Sequence, residues 1–416
     1  MDSPDSASRF ARLMTLIGCL TIAWSGVAVA QDATGSEKET DSNDSDASAW
    51  TRHEIDKGFD GADGVRLADF NGDGLADVVT GWEESGLVRL VLHPGPEHVR
   101  RRWPAVTVAE AKSPEDAMPC DMDGDGRMDI VSCHEGRQRQ VLVHWNDSDN
   151  SSSDELLRAA NWSSDRFTQL DGVQWMYAVP LGKIDGRTAI AVGAKGDDAS
   201  LTLLVAPQSN PRDLSRWQSI RLRNVGWIMS MQSLDMDHDG DQDLVFSDRK
   251  GPDRCAGWLE QPDAPESQWP EHRIAGEGQE VMFLSATPSR WVIATRDGEV
   301  LRCQLRTDPT GQARRFWLTE RLPLPRQMVM GKSASELPDG TLIVTANTLY
   351  ERQGERPGIW QRTVNGRWAP LDPTTKVKFD RVELIDLDGD GDLDVMTCEE
   401  AQDLGVVWYE NPRAGD

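Results

Sequence analysis

Polar and apolar residues alternate along this chain in short runs, separated by turn residues and recurring at an even spacing. Several runs open on a tryptophan: WTRHEI from Trp50, WPAVTV from Trp103, WQSIRL from Trp217 and WPEHRI from Trp269. The full series is Trp50, Trp103, Trp162, Trp217, Trp269, Trp317 and Trp368, at intervals of 48 to 59 residues. Alternation with period two marks half-buried strands, and no helical periodicity competes with it. Each interval holds further strand-like runs. VVT from Val78, IVS from Ile130, LVF from Leu244 and VMT from Val395 are rich in β-branched or apolar residues. A third run follows in every unit, among them RLVLHPGP, QVLVHWN and VVWYENP. Short, evenly spaced strands predict an all-β fold of four-stranded antiparallel blades arranged radially, a seven-bladed β-propeller over residues 50–416. The phase adds a second expectation. The repeats begin on a tryptophan strand and end after a third strand, so residues 50–55 should complete the last blade and remove its open edge.

Between the first and second strands of four units lie near-identical loops: DFNGDGLAD from Asp69, DMDGDGRMD from Asp121, DMDHDGDQD from Asp235 and DLDGDGDLD from Asp386. Side-chain oxygens at alternate positions of a tight loop can converge on one point, which suits calcium, a hard cation taking six to eight oxygens. The expected ligands are Asp69, Asn71, Asp73 and Asp77; Asp121, Asp123, Asp125 and Asp129; Asp235, Asp237, Asp239 and Asp243; and Asp386, Asp388, Asp390 and Asp394. The seventh residue of each loop (Leu75, Arg127, Asp241 or Asp392) would add its backbone carbonyl. Gly74, Gly126, Gly240 and Gly391 fall where the chain must turn in a conformation that penalises a Cβ. An EF-hand opens in the same way but needs a bidentate Glu at position 12 and flanking helices. Here that position holds Thr80, Ser132, Phe246 and Thr397, within strand-like runs. Acidic turns can form for local reasons alone, yet four copies with carboxylates in register would crowd like charges unless a cation neutralised them. About four structural calcium ions are therefore expected. In the other three units the corresponding stretches, GKIDGRTAIAVG from Gly182, SATPSRWVIAT from Ser285 and SELPDGTLIVT from Ser335, keep the strand and lack the carboxylates. No metal is assigned to them.

The loops also explain the composition. The formal charge is −26, but the four loops hold 17 Asp and one Arg. The acidity is thus a metal-site signature. It argues against nucleic acid, which requires a basic footprint. At the N-terminus, Arg9 and Arg12 precede an apolar run ending in Ala28-Val29-Ala30, as in a secretory signal peptide over residues 1–30 cleaved after Ala30. Leu16-Ile17-Gly18-Cys19 also fits a lipobox. Residues 31–49 carry six acids and one lysine without periodicity, the composition of an acidic disordered linker. A secreted, periplasmic or cell-surface location is expected, with no membrane span after cleavage. Cys120, Cys133, Cys255, Cys303 and Cys398 are scattered and lack CxxC spacing, so they read as buried small hydrophobes.

The loops DFNGDGLADVV, DMDGDGRMDIV, DMDHDGDQDLV and DLDGDGDLDVM resemble the FG-GAP/VCBS repeats of secreted bacterial proteins and of integrin α-subunit propellers. The resemblance runs from about Trp50 to the end, specific at four loops and weak in the other three units. It implies a seven-bladed propeller with calcium held between the first and second strands of the bearing blades.

With calcium on one face, a ligand is expected on the other, where loops precede the first strand and follow the second. The candidates there are Trp82, Glu83, His134, Glu135, Trp175, Trp227 and Arg249. Glu84, Glu115, Asp116, Lys195, Asp248, Arg296, Glu399 and Glu400 share the rim. Polar and aromatic side chains suit a carbohydrate or protein ligand. The expected function is a monomeric binding, adhesion or scaffolding module, and the seven marker tryptophans read as structural anchors. The alternative is a secreted polysaccharide-active lyase or hydrolase. His134-Glu135 and Asp248-Arg249-Lys250 are its best fragments, but no GxSxG or HExxH motif occurs and no catalytic residue is assigned.

Overall fold

The computed structural model describes residues 50–308, 315–328, 330–349 and 356–412. The expected signal peptide (1–30) and linker (31–49) lie outside the described residues. The described strands form seven four-stranded antiparallel sheets. In six of them the strands follow one another in chain order, so each sheet is a meander. Blade one comprises Ala62–Ala68, Asp77–Trp82, Leu87–Val91 and Ala105–Glu110. The first strand of each blade packs on that of the next: Ala62–Ala68, Pro114–Cys120, Gln174–Ile184, Ile228–Leu234, Val281–Thr287, Gly331–Glu336 and Phe379–Ile385. The last of these also contacts the first, closing the ring.

The seventh blade is completed from the other end of the repeats. Thr51–Asp56 pairs with Gly405–Glu410, with Thr51 opposite Glu410 and His53 opposite Trp408. The outer strand is supplied as the phase of the repeats predicts. Without it, Gly405–Glu410 would present a row of unpaired backbone groups.

The marker tryptophans stand at or just before the outer strands and seal one blade against its neighbour. Trp103 packs among Met396, Val406 and Trp408 of blade seven, and Trp162 among Val79 and Leu90 of blade one. Four of them fasten the connection leading into their own strand by donating the indole N–H to a carbonyl: Trp103 to Val99 (2.9 Å), Trp162 to Leu156 (3.0 Å), Trp217 to Pro211 (2.7 Å) and Trp269 to Pro265 (3.3 Å). Removing such a side chain typically costs roughly 3–5 kcal/mol.

The four Asp loops join first to second strands. Two blades without them close more tightly. In blade three, Asp185 and Gly186 both have positive φ (51° and 73°) between Gln174–Ile184 and Arg187–Lys195, the conformation of a two-residue hairpin turn. In blade five only Pro288 and Ser289 separate the two strands. The five cysteines among the described residues are buried and form no disulfide. Among the described residues no helix is long and apolar enough to cross a membrane.

Candidate functional site: an axial basin opposite the Asp loops

Each inner strand runs from one face of the ring to the other. The Asp loops follow its C-terminal end, and the residues at its N-terminal end surround a basin of about 410 Å³. Seven residues of strand at about 3.3 Å each put roughly 20 Å between the two faces.

A repeated irregularity builds the basin. In all seven blades the ladder between first and second strands slips near the entry of the first strand, for instance between Pro114 and Asp116, Ile228 and Ser230, and Gly331 and Ala334. A bulge leaves residues outside the ladder and re-aims their side chains. Five such residues line the basin, one per blade: Glu115, Met176, Met229, Met282 and Lys332. The rim comes from residues at or just beyond the end of the second strand: Glu83, Glu135, Lys195, Arg249, Arg296 and Asn347. Asp63, Tyr177, Trp227, Met330 and Lys378 complete the wall.

Of the seven ligand candidates from sequence, Glu83, Glu135, Trp227 and Arg249 meet in this basin. Trp82 and Trp175 are fully buried within inter-blade clusters and do not line it. His134 is also buried. Its Nε2 lies 2.7 Å from Ser132 Oγ, which in turn lies 2.7 Å from His144 Nε2, while its Nδ1 bonds the Lys112 carbonyl at 2.8 Å. Burial holds His134 down at about 4 and His144, also repelled by His134, at about 3. The neighbouring pair His134-Glu135 is thus split, one residue facing the core and the other the basin. Three rim candidates act as supports. Asp116 takes a two-pronged bond from Arg66 (2.8 and 2.9 Å) and the N–H of Ala178, tying three blades together. Asp248 accepts the N–H groups of Gly226 and Trp227, fixing the segment that presents the indole. Glu399 accepts the N–H of Lys378 at 2.9 Å.

Charges in the basin are dense and mostly matched. Lys195 pairs with Glu135 and lies 3.9 Å from Glu115; Lys332 pairs with Asp380, and Lys378 with Glu400. Arg249 and Arg296 share Glu280 at 2.8 and 3.0 Å. Lys195, Arg249 and Lys250 each stand within 4.7 Å of the Trp227 ring centroid. Oxygens of Asp63, Glu83 and Glu115 lie within 4.8 Å of one another. Burial pushes Glu115 up to about 7, and burial with Asp380 and Glu115 nearby raises Asp63 well above the usual range. Burial opposes the charge on Lys378, but Asp380, Asp63 and Glu115 outweigh it and raise its value.

Sequence reasoning missed Asp63, Met176, Tyr177, Met229, Met282, Met330, Lys332, Asn347 and Lys378. A signal existed, because the five bulge residues named above fall 12 to 15 positions after the marker tryptophan of the preceding strand. Extrapolated alternation hides them, since a bulge breaks the period of two.

The Asp loops are shaped by their own side chains. The first Asp of each accepts the N–H at position four, from Gly72, Gly124, His238 or Gly389, at 2.7 to 2.8 Å. The ninth residue is buried and uses both oxygens. Asp77, Asp129, Asp243 and Asp394 each accept the N–H of loop position two and one N–H at or just beyond the end of the third strand, at 2.8 to 3.0 Å. Position three reaches the next blade in three loops: Asn71 to Ser153 (3.2 Å), Asp123 to Arg212 (2.7 Å) and Asp388 to Arg100. Carboxylate oxygens of Asp121, Asp123 and Asp129, and likewise of Asp235, Asp237 and Asp239, fall within 4.8 Å of one another. This all-oxygen donor set fits a hard divalent cation.

No family model matches the chain, and no curated protein matches it in sequence. Solved structures do. A catalytically inactive virginiamycin B lyase from Staphylococcus aureus, determined with quinupristin, matches at 10% identity and TM-score 0.52, covering 86% of this chain and 98% of that one. YCF48 from Cyanidioschyzon merolae matches at 10% identity and TM-score 0.54, covering 88% and 100%. The β-propeller domain of Cps50 (Swd1) from Myceliophteria thermophila matches at 10% identity and TM-score 0.52, covering 86% and 99%. What these proteins share with the chain is the propeller fold, which hosts unrelated functions.

Proposed function

We propose that this protein is an exported, calcium-binding propeller of the FG-GAP/VCBS kind that serves as a binding or scaffolding module, with the axial basin as its ligand site. The observation that carries the reading is the basin itself: charged and aromatic groups from successive blades converge on one concavity at the ring's centre. Ligand sites are typically concave, with apolar lining and a few fixed polar groups. The binding reading is favoured over the hydrolytic one because His134, the best general-base candidate, is turned into the core. The ligand class from sequence, a carbohydrate or a polypeptide, suits a site lined by the half-buried indole of Trp227 and dense hydrogen-bonding groups.

Calcium has a structural part in this proposal. Ions in the four loops would neutralise clustered carboxylates and pin the first strand turns, through Asp69, Asn71 and Asp73 and their counterparts. Isothermal calorimetry of the mature chain should find about four calcium sites, and EDTA should lower the thermal midpoint by several degrees. Absence of both effects removes calcium from the proposal. For the ligand, glycan and peptide arrays probed with wild type and Trp227→Ala should give hits that the variant loses. Hits retained by Trp227→Ala would place the ligand elsewhere. For export, N-terminal sequencing of mature protein should begin at Gln31, whereas a lipid-modified Cys19 would replace secretion with membrane anchoring.

A further inference from the structure

The basin is polarised around its ring. Blades one and two supply Glu83, Glu115 and Glu135; blades four, five and six supply Arg249, Arg296 and Lys332. Blade five stands three places from blade one by one route and four by the other, so the two sectors lie across the axis from each other.

The internal ion pairs leave a residue of charge at each pole. Lys195 answers Glu115 and Glu135, and Lys378 answers Glu400. Among the described residues Glu83 makes no ion pair, and Glu84 and Glu400 crowd it with like charge. At the far pole two guanidiniums share the single carboxylate of Glu280. The side chain of Arg296 is 41% exposed, against 12% for Arg249 and 9% for Lys332, so it is the cation at that pole that a ligand meets first. The thioethers of Met176, Met229 and Met282, from blades three, four and five, line the same basin and give it an apolar, adaptable surface.

Building on the basin as ligand site, we propose that its ligand is dipolar: a short peptide with free termini, its ammonium at Glu83 and its carboxylate at Arg296. A single α-amino acid carries both charges on one carbon, whereas an extended chain separates them by about 3.3 Å per residue and would set its side chains against the methionines. A purely anionic ligand would meet the acidic sector, and a purely cationic one the basic sector. Each mismatch leaves a charge desolvated without a partner, which is how a site rejects near relatives of its ligand.

The test is calorimetry on the mature full-length propeller with trialanine, N-acetyl-trialanine and trialanine amide. Free trialanine should bind, and each capped form should be weaker by about tenfold or more, the scale of one charge-assisted hydrogen bond. Glu83→Gln should erase the discrimination against the N-acetyl form while keeping that against the amide; Arg296→Gln should do the reverse. Circular dichroism and thermal midpoints would establish that both variants fold. Equal binding of all three peptides, no binding of trialanine, or failure of either variant to shift its own cap dependence overturns the dipolar ligand. If arrays then still yield a ligand lost in Trp227→Ala, the basin as ligand site stands and only its dipolar occupant falls. If no ligand of any class binds, both readings fall.

Discussion

His238 occupies the fourth position of its Asp loop, where the other three loops carry glycine, and adopts φ 71°. A left-handed backbone costs a non-glycine residue about 1–2 kcal/mol, part of which glycine's extra freedom in the unfolded chain offsets. His238→Gly should therefore raise stability by up to about 1 kcal/mol, seen as a higher urea midpoint with calcium and without it. An unchanged or lower midpoint would mean that the imidazole makes a compensating contact. The buried pair His134 and His144 gives a pH dependence. Burial lowers their folded values to about 4 and about 3, while the unfolded chain takes up protons near the ordinary value of about 6.5. Their contribution is whole above that ordinary value and is lost as pH falls through the window down to the folded values. The stability gap between wild type and His134→Gln should accordingly narrow from pH 7.5 to 4.5. A gap independent of pH would count against a neutral buried imidazole.

The Asp loop is an element in which two tasks fall to one residue type. Asp73, Asp125 and Asp239 are exposed, whereas Asp129 and its counterparts staple the loop to the end of the third strand through two backbone N–H groups. In EDTA, Asp129→Ala should cost roughly 2–4 kcal/mol, because two buried donors lose their acceptor, and Asp125→Ala less than about 1. With calcium restored the gap should shrink as Asp125→Ala also loses a ligand. Equal costs in EDTA would refute the staple. These loops were legible in the sequence because local backbone demands fix their residues in a contiguous stretch. The basin was less so. Glu83, Glu135, Trp227 and Arg249 could be located by counting from the second strand or from the turn before the first. Met229 and Lys332 sit in bulges, where the alternation that identifies a strand misreports which way a side chain points. Trp82 and Trp175 looked like rim aromatics because they stand at strand ends on that face, yet both are packed between blades.

At the scale of the whole molecule, the ring depends on one short strand. Thr51–Asp56 closes blade seven, and Arg89 of blade one bonds Asp56 at 2.6 Å, carrying the closure into the adjacent blade. A chain starting at residue 50 should unfold cooperatively at the full-length midpoint. One starting at residue 57 should lose cooperativity and aggregate through the bared Gly405–Glu410 edge. Light scattering and thermal melts would distinguish them, and a soluble, cooperative shorter chain would show that closure is dispensable. The count of seven and the order of closure were readable because marker spacing survives even where loops degenerate. Which side chains meet at the axis was not, since that depends on residues separated by whole blades. The slipped register at every inner strand has one more consequence. A residue standing outside the ladder can be exchanged without disturbing a single rung, so the basin behaves as a rotor of interchangeable letters, one from each of five blades, on a fixed hub. Related chains could read different ligands by respelling those few positions, with the frame and its Asp loops left as they are.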